Sequence, residues 1–173
     1  MRFLHLLYTS NSIENLKLSR IPLHNIFTYD KKSELVEITA YCLMPNHFHI
    51  ALKECTENGM SHFIHKLCTA YVMYYNSKYK HSGTIFQGPY KSKHVDNDDY
   101  YRYLLQYIHL NPFGISEPDM NNIAKTEYFN EAMIYSKGYE YSSFKDYLGE
   151  DRPQRSILTC KARPGPCPGL ALP

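Results

Sequence analysis

The sequence predicts an α+β domain, and three observations carry that prediction. Val36 to Met44 alternates: Val36, Ile38, Ala40, Cys42 and Met44 fall on one face, and Glu37, Thr39, Tyr41 and Leu43 on the other. Pro45-Asn46 then turns the chain, and His47 to Lys53 reads as the antiparallel partner of that strand. Apolar residues recur at helical spacing in two longer segments, beginning near Ser61 and near Asp96.

Each element has a local reason. Ser61 can cap a helix running to about Tyr79, with Phe63, Leu67, Ala70 and Tyr74 on one stripe. Thr84 to Val95 reads as a third strand interrupted at Gly88-Pro89, hence an edge strand or a bulge. Asp96 and Asn97 open a helix whose first turn, Asp98 and Asp99, suits a positive helix start. It runs to Asn111, and Pro112 stops it. Tyr101, Leu104, Leu105 and Ile108 form its expected core stripe, while Tyr100, Tyr103, Tyr107 and Asn111 fall on another. Residues 113–137 read as irregular, with one short helix around Tyr128 to Tyr135. Ser142 or Ser143 can open a last helix through Leu148. The expected domain covers 1–158, and the Pro- and Gly-rich stretch 159–173 reads as a disordered tail.

With 173 residues the chain can build one domain with a real core. No stretch approaches the ~20 apolar residues of a membrane-spanning helix, and the brief apolar opening does not read as a signal peptide. Five cysteines without CxxC spacing point to free thiols in a reducing cytoplasm. A net charge of +2 does not by itself announce nucleic acid. Distribution says more: Lys66, Lys78, Lys80, Lys91, Lys93 and Arg102 lie between or beside aromatics, and the middle of the chain is poor in acids until Asp96. Such a surface suits stacked bases and phosphates, and equally an ordinary core boundary.

The densest chemical signal is Met44-Pro45-Asn46-His47-Phe48-His49. On a strand, His47 and His49 share a face, which makes half of a divalent-metal site or a pair of histidines without a ligand. Three ordered segments resolve that choice by resemblance. Leu43 to His49, then Gly83-x-x-Phe86-Gln87 with Tyr90, then Tyr107-Ile108-His109-Leu110-Asn111-Pro112, together resemble the REP-associated tyrosine transposases. These are single-tyrosine, IS200-like members of the HUH endonucleases. Tyr139-x-Tyr141-Ser142-Ser143 is similar to that family's Tyr-x-Trp-Ser-Ser segment.

The resemblance spans about residues 36–158 and implies a ferredoxin-like antiparallel sheet with helices on one face. It implies His47, His49 and Asn111 as ligands of Mg²⁺ or Mn²⁺ and Tyr107 as nucleophile. The implied substrate is single-stranded DNA bearing a hairpin, and the implied product a 5′-phosphotyrosine intermediate. The protein would act as a monomer or a homodimer. Lys66, Lys78, Tyr90, Lys91, Lys93 and His94 are candidate DNA contacts, the last three on the expected third strand. A phenol of pKa ~10 is a weak nucleophile at neutral pH, so the site must help to remove its proton. Tyr100 and Tyr103 compete with Tyr107 for the role. Two other readings stay open: a catalytically silent single-strand binder, and a hydrolytic nuclease using the histidines alone. Relatives carry a further strand ahead of the helix expected around Arg2 to Leu7. Without it, the backbone of neighbouring strands is expected to be exposed and the chain marginally stable.

Overall fold

The computed structural model describes residues 1–16, 18–115 and 129–159. Its elements are α1 (Arg2–Ser10), β1 (Val36–Leu43), β2 (Phe48–Glu54), α2 (Gly59–Tyr79), α3 (Asp98–Leu110), α4 (Phe129–Gly138) and α5 (Phe144–Tyr147), with short 3-10 turns between them. The chain is therefore α+β, with β1 and β2 paired in a two-stranded antiparallel sheet. The described residues fall into two compact units. One holds Met1–Glu37 with Lys53–His94, and the other holds Ile38–Leu52 with the chain from Val95 onward. Among the described residues no helix is long and apolar enough to cross a membrane.

In the first unit α1 packs on α2. Phe3 meets Tyr71 edge-to-face at 4.9 Å, and the Arg2 guanidinium lies 4.8 Å from the Tyr74 ring centroid. Leu4, Leu7, Ile26, Phe63 and Leu67 are buried beneath. The helix stripe expected on α2 is the buried one at Phe63 and Leu67, while Ala70 and Tyr74 sit at its margin. Helix α2 starts two residues before Ser61, where Met60 N–H donates to Glu54 Oε1 at 3.0 Å.

The third strand expected over Thr84 to Val95 does not form. Gly83 and Gly88 hold φ of +97° and +72°, outside the extended region, and Pro89 brings no N–H for a ladder. Only Ile85, Phe86 and Val95 of this stretch are even half-buried, so it has no apolar face to hold it on a sheet. Lys91, Lys93 and His94 accordingly sit on exposed irregular chain rather than on a strand.

In the second unit β1 and β2 carry Ala40, Cys42 and Ala51 into a core with Leu105, Ile108, Leu110, Phe113, Ala132, Met133 and Phe144. Asn97 caps α3 by accepting the Tyr100 N–H at 2.7 Å, and the acidic first turn follows. The core stripe of α3 is as its periodicity predicts, and Pro112 marks where a 3-10 turn replaces the helix. Helix α4 covers the short helix expected near Tyr135, and α5 the one expected after Ser143. Residues 116–128 and 160–173, which include most of the expected tail, lie outside the described residues.

The backbone of β1 is not left bare, which corrects the expectation of an exposed edge. In the first unit the Asn11 amide donates to Val36 O at 2.8 Å and accepts from the N–H groups of Leu35 and Val36. In the second unit Thr159 exchanges bonds with Ile38: its N–H donates to Ile38 O at 3.1 Å and its Oγ1 accepts Ile38 N–H at 2.7 Å. Thr159, expected in the tail, is thus part of the fold. Tyr147 Oη donates to Thr39 O, Ser143 N–H to Tyr41 O, and Leu43 N–H to Tyr141 O. Unpaired buried backbone groups are costly, and these side chains and loop residues remove that cost.

Candidate active site

Strand β2 begins at a tight turn. Met44 N–H donates to His47 O at 2.8 Å, which leaves Pro45, Asn46 and His47 exposed at the tip. Asn46 Oδ1 lies 2.7 Å from His47 Nδ1. A carboxamide oxygen can only accept, so this contact puts the proton of a neutral His47 on Nδ1 and leaves a lone pair on Nε2. That lone pair faces His49: the two Nε2 atoms are 3.1 Å apart, with ring planes at 89° and centroids 4.8 Å apart.

The Nε2 spacing is a test of whether an ion could fit. Donors at neighbouring corners of an octahedron with ~2.1 Å bonds stand ~3.0 Å apart, and those of a tetrahedron ~3.4 Å. The observed separation lies closer to the octahedral value, the geometry Mg²⁺ and Mn²⁺ prefer. Without an ion, a proton on His49 Nε2 would bridge the pair, and with one it would have to move to Nδ1. His49 is half-buried, and burial, followed by the charge of His47, pushes its pKa down to about 4. Its imidazole therefore keeps a lone pair through the neutral range. Among the described residues no group of three or more His, Cys, Asp and Glu side chains gathers in ion-binding positions.

Helix α3 supplies the third ring. Tyr107 lies 5.3 Å from His49, centroid to centroid and edge-to-face, with 38% of its surface exposed. Tyr103 stacks beside it at 6.5 Å and 22°, and Tyr100 beside Tyr103 at 6.3 Å and 27°. Tyr107 is the rung in ring contact with His49. Asn111 follows one turn later, where its N–H donates to Tyr107 O, and it is buried at 7% exposure. The structure thus brings His47, His49 and Tyr107 into one cluster, and Asn111 is a buried residue at the end of the same helix as Tyr107.

The basic residues belong to the first unit, and their roles divide. Lys66 is committed to the fold, its ammonium donating to the carbonyls of Ser12 and Glu14. Lys78 lies over the rings of Tyr79 and Tyr74, at 4.9 and 5.8 Å. Tyr90 Oη pairs with Ser61 Oγ at 3.0 Å, and Phe86 lies 6.3 Å from Tyr71. Lys91, Lys93 and His94 are exposed.

The family comparison matches the chain over residues 8–111 to a model described as "Transposase IS200 like". That span is well over half of the chain and includes the histidine turn, Tyr107 and Asn111. The chain belongs to the IS200-like transposase family. Its membership places it among DNA-processing proteins of transposition. No curated protein and no solved structure matches it.

Two residues of this transposase's second unit were not singled out from the sequence. In the sequence Asn46 reads as half of a turn, although its position directly before His47 allows it to fix that ring. His109 lies two residues from Tyr107 but is fully buried between Phe144 and Tyr147, with Nε2 2.9 Å from Ser143 Oγ. The Ser143 hydroxyl already spends its proton on Tyr41 O, so His109 Nε2–H is the donor in that contact. Nothing within the IS200-like motif spacing distinguishes this structural histidine from a functional one.

Proposed function

We propose that this IS200-like transposase cleaves and rejoins single-stranded DNA through a covalent tyrosine intermediate, as a REP-associated member of its family that recognises a hairpin. The observation that carries the reading is the meeting of His47, His49 and Tyr107 in one partly exposed cluster. Tyr107 Oη attacks the scissile phosphorus in line, and the bond to the 3′-oxygen breaks. The strand is left with a 3′-hydroxyl once that oxygen takes up a proton, and the protein with a 5′-phosphotyrosine. The phenol proton leaves to solvent or a neighbouring base, which the exposure of Tyr107 allows. Because one ester replaces another, a new 3′-hydroxyl can reverse the step without ATP, and this suits strand transfer over hydrolysis.

His47 and His49 would hold a divalent cation, Mg²⁺ or Mn²⁺, through Nε2, with Asn111 as the candidate third protein ligand. When bound, that ion would withdraw charge from the phosphate and favour its attack by an oxygen nucleophile. Asn46 holds the His47 ring and its tautomer, as outer partners of metal-binding histidines do. His49 stays unprotonated above about pH 4 and so remains available as a donor. Lys91, Lys93 and His94, exposed in the first unit, are the remaining candidates for phosphate contacts.

Incubation with labelled hairpin DNA and Mn²⁺ tests the reading. A covalent protein–DNA adduct that disappears in Tyr107→Phe supports it. Binding with no adduct would make the chain a silent single-strand binder. Free cleavage products that persist in Tyr107→Phe would make it a hydrolytic nuclease.

A further inference from the structure

We infer that the Tyr100–Tyr103–Tyr107 ladder on α3 is a stacking site for unpaired nucleobases beside the phosphate that Tyr107 attacks. The inference rests on the proposed function for its location and adds the contact that holds the strand there. Residues at i, i+3 and i+7 of a helix fall within a narrow stripe, at ~100° per residue. The three rings keep nearly common planes, tilted by 27° and 22° from rung to rung. The stripe lies away from the core face of the helix, for Leu105 and Ile108 are buried while Tyr103 is 51% exposed.

Charge says what kind of contact this stripe makes. Arg102 is the only Lys or Arg of α3, and it is engaged by Asp99 at 3.1 Å. Asp98 and Asp99 stand at the start of the same helix. A run of phosphates would find one cation beside two carboxylates on α3, whereas flat bases find neutral aromatic faces. Stacking on aromatic side chains is tolerant of sequence and strong for each base. The centroid spacings of 6.3 and 6.5 Å also leave the rings too far apart for face-to-face contact with one another. The lowest rung is the attacking phenol, so a strand positioned for attack passes over this face and brings its neighbouring bases to Tyr103.

The test measures affinity for a labelled single strand and for an abasic strand of equal length, using wild type, Tyr103→Ala and Tyr103→Phe. Tyr103→Ala should weaken binding of the base-bearing strand roughly tenfold or more, the size of one lost stacking contact. Tyr103→Phe should bind as wild type does, since it keeps the ring. The preference of wild type for bases over the abasic strand should shrink in Tyr103→Ala. Wild-type affinity in Tyr103→Ala, or equal losses in Tyr103→Phe and Tyr103→Ala, would overturn the inference. A dimer that falls to monomer in Tyr103→Ala with DNA affinity unchanged would also overturn it, making the ladder a contact between copies. Adduct formation in the same samples separates the two claims. Ring-dependent binding without any wild-type adduct keeps the ladder and removes the transferase reading. An adduct with no cost from Tyr103→Ala does the reverse.

Discussion

Tyr107 and His109 are two residues apart on α3, yet they belong to opposite kinds of surface. At ~100° per residue they point ~200° apart. Tyr107 faces outward with Tyr103 and touches His49, in a partly exposed cluster. His109 faces inward and joins a buried polar network through Nε2, while its Nδ1 has no hydrogen-bond partner. Ser143 Oγ takes the His109 proton and the Tyr41 N–H, and gives its own proton to Tyr41 O. Nearby, the Arg152 guanidinium meets the fully buried Asp146 carboxylate through two bonds, at 2.7 and 2.6 Å. The comparison teaches that side-chain type does not tell chemistry from architecture here. Burial does: the inward groups lie in the core, whereas His47 and Tyr107 stand exposed to solvent.

Breaking the inward network should cost stability first. Asp146→Ala leaves Arg152 buried without its anion, and breaking such a pair costs about 3–5 kcal/mol. Urea denaturation should show a loss of that size, and a loss below ~1 kcal/mol would mean the pair is solvated rather than buried. Ser143→Ala should follow with about 1–3 kcal/mol, because it strands the His109 donor and the Tyr41 N–H together.

The outward cluster should respond in ion affinity instead. Asn46→Ala should weaken Mn²⁺ binding roughly tenfold, read by electron paramagnetic resonance of free Mn²⁺, with folding stability changed by no more than ~0.5 kcal/mol. Unchanged affinity would remove Asn46 from any positioning role. Acid should then touch both regions with one sign. Burial pushes His109 down to about 3, and burial with the His47 charge pushes His49 down to about 4. The unfolded chain, with ordinary histidines near 6.5, therefore binds more protons below that pH. Stability should be complete above about pH 6.5 and should fall as pH drops toward 4 and then 3. Burial lowers His5 as well, so urea midpoints at pH 7 and pH 5 should differ more in wild type than in His109→Gln, which lacks one of these titrations. Equal differences would mean that His109 is not held neutral by the fold.

The elements that sequence reveals are those fixed by neighbours in the chain. The β1 strand, the Pro45-Asn46 turn, the Asn97 cap and the Pro112 stop each depend on a few adjacent residues and form where the pattern puts them, although β1 buries Thr39 and Tyr41 along with its apolar face. The stretch from Thr84 to Val95 resembled a strand by composition, but a strand also needs a partner and a buried face, which no local pattern supplies. Lys66 looked like a phosphate contact because its bonds to Ser12 and Glu14 reach across more than fifty residues. The pairing of β1 with Asn11, Ser143 and Thr159 was invisible for the same reason, with separations of 25, 102 and 121 residues. In the site, the adjacency of His47 and His49 could be read from a strand's period. The approach of Tyr107 to them, by contrast, is a tertiary fact, which only the motif resemblance anticipated.

The most direct test of the account is the identity of the residue that carries DNA. Wild-type protein is incubated with labelled hairpin DNA and Mn²⁺, digested, and the labelled peptide sequenced by mass spectrometry. The account predicts a nucleotide on Tyr107 alone. A nucleotide on Tyr103 or Tyr100, or none on a folded protein that binds both Mn²⁺ and the strand, would contradict it.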